Sequence, residues 1–214
     1  GGAGGVGGWG GGGGGGWGGG GGRGRGAGGQ AGRVGGGGAR AGRAVAGRAR
    51  TGGRVRVGRA LDAAGLGDGD RVVELAPGLG LTTDAILDRD PREWVGVEPD
   101  PLAAGRLTKE FGRPGRAVAL APVDATGLPD ESATVVVSDA LLSTLDGDGR
   151  QAVLAEARRL LRPGGRVALH ELTGAPDLAR DPEALEDLAS VGIAPPSADG
   201  WREAVEAAGL VVVG

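Results

Sequence analysis

Two acidic residues stand at or next to the ends of short apolar runs, and each run is followed at once by turn-forming residues. Glu74 stands in Arg71-Val72-Val73-Glu74-Leu75, directly before Ala76-Pro77-Gly78-Leu79-Gly80, and Glu98 closes Trp94-Val95-Gly96-Val97, directly before Pro99-Asp100. Gly78 and Gly80 let the backbone approach a ligand and take turns that a Cβ obstructs, and a helix start behind them offers free amide groups. Taken alone, the pair of glycines reads equally well as a tight strand-to-helix turn. Glu98 lies 18 residues past Gly80, the spacing of a carboxylate that accepts from both hydroxyls of a ribose held at the glycine loop. A nicotinamide dinucleotide is the obvious rival ligand. That fingerprint asks for Gly or Ala at its sixth position, where this chain has Thr83, and Glu74 would repel a pyrophosphate. A carboxylate at position 74 favours a ligand that carries a cationic group.

These residues need strands to place them. From residue 53 the pattern alternates helix and strand signals, the order that builds a parallel sheet with helices on both faces. Val57, Leu61 and Ala64 recur at helical spacing, and Gly65 suits a left-handed C-cap. Strands are predicted at Arg71–Leu75, Trp94–Val97, Ala117–Leu120, Thr134–Ser138, Arg166–His170 and Leu210–Val213. Helices are predicted at Thr83–Leu87, Pro101–Phe111, Gln151–Leu161, 182–190 and 201–208. The fold class is α/β, a Rossmann-like doubly wound, mostly parallel sheet over residues 53–214. Open sheets of this kind bind ligands at the carboxyl ends of their strands, which is where Glu74 and Glu98 fall.

At this point the chain resembles a known family. Val72-Val73-Glu74-Leu75-Ala76-Pro77-Gly78-Leu79-Gly80 is similar to the first motif of class I S-adenosylmethionine-dependent methyltransferases. Glu98 matches that family's ribose-binding acid, Asp124-Ala125 looks like its adenine-contacting pair, and Leu161-Arg162-Pro163-Gly164-Gly165-Arg166 resembles its turn before the fifth strand. The similarity is closest to the small-molecule branch. It implies S-adenosylmethionine as cofactor, with Glu74, Ala76, Pro77, Gly78, Gly80, Glu98, Pro99, Asp124, Ala125 and Asp139 around it. The implied reaction is in-line methyl transfer, in which positioning supplies much of the rate and no acid–base residue is obligatory. Where the acceptor is a hydroxyl or an acidic carbon, His170 or Asp139 could serve as base. Both residues also fit a plainer role, as polar strand ends that bond a loop. Ala76 departs from the family by replacing its usual first glycine, a change expected to be tolerated with a negative φ. The family's N-terminal covering helices and its last strand are not recognisable, so the chain is expected to be incomplete.

Composition divides the chain in two. Residues 1–60 hold 32 of the 51 glycines and ten arginines with no acid, so this stretch is at +10 and the remainder at −13. A segment more than half glycine cannot bury enough apolar surface to offset backbone ordering at roughly 1–2 kcal/mol per residue, and residues 1–52 are expected to form a disordered tail. Trp9 and Trp17 within it could stack on bases, which keeps open an RNA-binding reading of the basic tail, although its arginines follow no Arg-Gly-Gly period. A −13 domain with few aromatic side chains counts against nucleic acid as the acceptor and for a small molecule. Cysteine is absent, which excludes disulfides and thiolate metal sites; no metal is expected. No apolar run reaches membrane-spanning length, and a cytoplasmic location is expected.

Overall fold

A computed structural model describes residues 57–174, 182–190, 193 and 195–213. The Gly/Arg-rich tail at 1–52, with Trp9 and Trp17, lies outside the described residues. In chain order the elements are α1 (57–63), β1 (Arg71–Leu75), α2 (Leu81–Leu87), β2 (Glu93–Glu98), α3 (Pro101–Phe111), β3 (Arg116–Leu120) and β4 (Ala133–Asp139). There follow a 3-10 turn (Leu142–Thr144), α4 (Gly147–Leu160), β5 (Leu161–His170), α5 (Pro182–Ser190) and α6 (Ala198–Ala207).

The strands form one sheet in the order β3-β2-β1-β4-β5, and every pairing is parallel. Central strands of such a sheet are covered on both faces and therefore read as continuous apolar runs. That is why β4 is buried from Ala133 through Ser138 and β1 from Val72 through Leu75, whereas edge strand β3 is only partly covered. Helices pack on both faces. Val73, Leu75, Val97 and Val136 meet Val153, Leu154, Ala157 and Leu160 of α4 on one side. Val72, Trp94, Val135 and Val137 meet Leu61, Ile86, Leu107 and Phe111, from α1, α2 and α3, on the other. Trp94 is fully buried there, edge-on to Phe111 with ring centroids 6.1 Å apart.

Several boundaries differ from the sequence expectation, the largest strand change being β5, which starts at Leu161 rather than Arg166, and two helix starts and one missing strand have identifiable reasons. Helix α4 starts at Gly147 rather than Gln151, because the Asp146 carboxylate caps it by accepting from the Gly149 N–H at 2.8 Å. Helix α6 starts at Ala198 rather than 201, with Ser197 accepting from the Gly200 N–H at 3.1 Å. The strand predicted at Leu210–Val213 is not formed. After Gly209 turns left-handed at φ 75° the chain is irregular, with Val211 and Val213 82% and 85% exposed. β-Branched residues favour a pleated surface with a neighbour to pack against, and no strand lies beside this segment among the described residues. No helix of the described residues is long and apolar enough to cross a membrane.

Candidate functional site

The sheet order reverses direction between β1 and β4, so the loops that leave their carboxyl ends diverge and open a crevice between them. The glycine loop fills the β1 side. Ala76 donates its N–H to the Val97 carbonyl at 2.8 Å, and Gly80 donates to the Pro77 carbonyl at 2.8 Å. Ala76, Gly78 and Gly80 all take positive φ, at 49°, 54° and 76°. The negative φ on which tolerance of Ala76 depended is thus not kept: this turn demands the left-handed region, for which glycine is the usual residue and alanine is strained. Gly80 is the N-cap of α2, and a Cβ on it would stand 2.7 Å from Phe111 Cε2. Its lack of a side chain therefore serves helix packing. At Gly78 a Cβ would meet nothing closer than the Ala76 carbonyl oxygen at 3.8 Å, so that face of the loop is open.

Glu98 lies behind the loop, 4% exposed, and acts as a clip. Its Oε2 accepts from the Gly78 N–H at 2.9 Å and its Oε1 from the Asp100 N–H at 3.0 Å, which joins the glycine loop to the β2–α3 turn. Arg106 of α3 reaches back and donates to the Gly78 carbonyl at 2.6 Å. A carboxylate offers about four lone-pair sites, so Glu98 retains acceptor capacity for hydroxyls.

Glu74 points to the same face of the sheet as Trp94. Its Oε2 accepts from Thr83 Oγ1 at 2.8 Å and from Trp94 Nε1 at 2.9 Å. Burial pushes its carboxyl up to about 7; the two hydrogen bonds oppose this, while the charges of Asp139 and Asp84 add to it. Asp139, at the tip of β4, accepts from Thr82 Oγ1 through Oδ2 and meets His170 Nδ1 at 2.7 Å through Oδ1. Two successive threonines in the first turn of α2 thus serve two carboxylates from neighbouring strands.

A cavity of about 250 Å³ opens here, lined by Glu74, Leu75, Ala76, Pro77, Gly78, Leu79, Leu81, Thr82 and Asp139. The structure brings together five of the sequence-predicted site residues in its wall: Glu74, Ala76, Pro77, Gly78 and Asp139. His170 joins through Asp139, and Glu98 through Gly78. Pro99, Asp124 and Ala125 are exposed and lie outside the cavity wall, as does Gly80. Sequence reasoning missed Thr82 as a partner of Asp139 and took Thr83 only as a mismatch to a dinucleotide fingerprint. Two adjacent hydroxyls directly behind a glycine loop were the available signal. The described residues hold no cluster of three or more metal-ligating side chains.

A parallel sheet of this order, with a glycine loop at the reversal point and an acid closing the neighbouring strand, is a Rossmann-like α/β domain. Residues 73–169 match the family model described as a methyltransferase domain. Over that segment, a little under half of the chain, the sequence is similar to a methyltransferase domain. An uncharacterized protein of Haemophilus influenzae is 25% identical over 169 residues, covering 76% of this chain and 67% of its own length. The ribosomal RNA small subunit methyltransferase A of Gloeobacter violaceus is 35% identical over 102 residues, 44% of this chain and 37% of its own. Among solved structures, the mycolic acid cyclopropane synthase CmaA1, complexed with SAH and CTAB, superposes with a TM-score of 0.60 at 21% identity, over 75% of this chain and 61% of that one.

Proposed function

We propose that this chain transfers the methyl group of S-adenosylmethionine to a small-molecule acceptor, in the crevice between β1 and β4. The observation that carries the reading is the pair of carboxylates, Glu74 and Asp139, facing one cavity across the glycine loop. Two acids beside an open Gly78 form a wall suited to a ligand with cationic ends, and they disfavour a pyrophosphate. Glu98 fits the ribose role, since it is fixed at the loop with acceptor capacity left. Asp124, Ala125 and Pro99 fit a nucleobase approaching from the exposed side of β2 and β3, next to Leu120, which is 61% exposed.

The sulfonium of the bound cofactor supplies an activated methyl group and a good leaving group. This chain's residues hold and orient: Glu98 the sugar, the glycine loop and Glu74 the cationic end, and the crevice the acceptor. Fixing reactants in attack geometry supplies about 7–11 kcal/mol of barrier lowering in favourable cases. The acceptor class that this site suits is a hydroxyl or an acidic C–H. Asp139 holds the His170 imidazole by Nδ1 and stabilises the imidazolium that forms when the ring takes the acceptor's proton. The net −13 of residues 61–214 supports a small acceptor over a polyphosphate one.

Calorimetric titration with S-adenosylhomocysteine tests the reading. Hydrogen bonds to a charged group are worth roughly 1.5–3 kcal/mol each, so Glu98→Ala is expected to weaken binding by about tenfold to a few hundredfold. Glu98→Gln is not a gentle control: both oxygens face backbone N–H groups, so a side-chain amide would oppose one of them. NADH is the comparison ligand. Wild-type protein that ignores S-adenosylhomocysteine but binds NADH in a Glu98-dependent way would replace this assignment with a dehydrogenase-type site.

A further inference from the structure

Opposite the cavity, the tips of β4 and β5 are joined by a second cluster. Parallel pairing sets Asp139 beside His170, which puts both side chains on one face of the sheet. The residues next to them, Ser138 and Glu171, point to the other face. There the Glu171 carboxylate gathers four donors. Its Oε1 accepts from Ser138 Oγ at 2.9 Å and the Leu142 N–H at 3.1 Å; its Oε2 accepts from the Ser143 N–H at 3.0 Å and Ser143 Oγ at 2.7 Å. Ser143 Oγ accepts in turn from the Leu172 N–H at 2.9 Å. Ser138, Leu142 and Ser143 are buried.

These bonds enclose the peptide segment that carries Asp139. Directly after it, Ala140 is forced to φ 54° and donates its N–H to the His170 carbonyl at 2.8 Å. A non-glycine residue keeps that conformation only where its surroundings impose it. Glu171 supplies the imposing contacts: it ties the residue before Asp139 and the turn after it to the residue following His170. From the opposite side Arg150 of α4 donates to the carbonyls of Leu142 and Leu145. The turn is therefore held by its amides through Glu171 and by its carbonyls through Arg150, and only the first hold is anchored on the His170 strand.

We infer that Glu171 is a positioning residue, which sets the Asp139–His170 contact from the far face of the sheet. It touches neither reactant; it acts by keeping the two strand tips in register and Ala140 turned. The catalytic consequence rests on the base reading proposed above, whereas the positioning contact itself does not.

The single histidine of the chain makes the test clean, because one imidazole gives one set of ring signals. Its titration midpoint and tautomer are followed by long-range ¹H–¹⁵N spectra in wild type and in Asp139→Asn, Glu171→Gln and Ser143→Ala. Loss of a neighbouring carboxylate contact moves an imidazole midpoint. Glu171→Gln, which turns one acceptor into a donor, and Ser143→Ala, which deletes one donor to Glu171 and the acceptor of the Leu172 N–H, are expected to move it in the direction that Asp139→Asn does. Glu156→Gln is the control, since Glu156, in the C-terminal half of α4, gathers Thr126 and Arg159 in a comparable cage that includes none of the Glu171 partners. It is expected to lower the melting temperature and leave the imidazole unmoved. An imidazole that moves no more in Glu171→Gln and Ser143→Ala than in Glu156→Gln overturns the positioning role. Methyl transfer from labelled S-adenosylmethionine to a panel of small phenols and hydroxy acids, if undiminished in His170→Gln, overturns the base reading alone.

Discussion

Glu74 sits among apolar side chains, and its protonation is tied to folding. With the folded-state carboxyl raised to about 7 from an ordinary 4.5, mainly by burial, the native chain holds a proton that the unfolded chain has already released between those pH values. Stability therefore falls as pH rises from about 4.5 to about 7, and the whole penalty is present above that window. At 1.36 kcal/mol per unit it is on the order of 3 kcal/mol. Glu74→Gln keeps an acceptor for Thr83 and Trp94 and removes the charge. It is expected to raise the melting temperature at pH 8 by several degrees more than at pH 5, while weakening the binding of S-adenosylmethionine. Equal shifts at the two pH values in a thermal melt would mean that Glu74 is not ionised at a cost in the folded state. The carboxylate is thus retained against stability, which is the pattern of a group kept for its ligand.

The glycine loop shows that three positions of one motif have three different reasons. Ala76 holds φ 49° with a Cβ, a strain of about 1–2 kcal/mol that Ala76→Gly relieves, less the roughly 0.5–1 kcal/mol that glycine loses in chain entropy. A net gain of up to about 1 kcal/mol is expected. Gly78→Ala meets open space and incurs only the backbone strain, about 1–2 kcal/mol. Gly80→Ala adds to that strain a Cβ 2.7 Å from the Phe111 ring, and about 3 kcal/mol or more is expected. Urea denaturation of the three variants gives the ranking. A Gly80→Ala midpoint no lower than that of Gly78→Ala would remove the packing role assigned to Gly80. The motif was visible as Gly-x-Gly, but nothing in it separated the glycine that faces the crevice from the one that faces α3.

For the molecule as a whole, the sheet presents two kinds of margin. Edge strand β3 is partly covered, and beyond α6 the chain ends its described course in Val211 and Val213, both exposed apolar side chains. Residues that bury nothing contribute little, so Val211→Ser combined with Val213→Ser is expected to change stability by no more than about 0.5 kcal/mol. The same pair is expected to raise the concentration at which light scattering first reports association, because exposed apolar extended segments recruit other chains. A loss above about 1 kcal/mol would show that this segment is packed in solution.

Local information carried the class of fold, the first strand, helix α3 and the cofactor family. Apolar runs with turn residues at their ends, and Gly78 and Gly80 placed 20 and 18 residues before Glu98, are short-range patterns that backbone sterics and hydrophobic burial translate directly into β-loop-α units. The alternation of those units also foretold a parallel sheet. What the chain alone left open were contacts between residues far apart in sequence. Thr82 with Asp139, Trp94 with Glu74, and Glu171 with Ser138 and Ser143 depend on which strands lie side by side and in what register, and no local pattern records either. The same holds for Leu210–Val213, whose composition favours a strand. A strand is a property of two segments, and the ladder hydrogen bonds that make it one come only from a neighbour that tertiary structure does or does not supply.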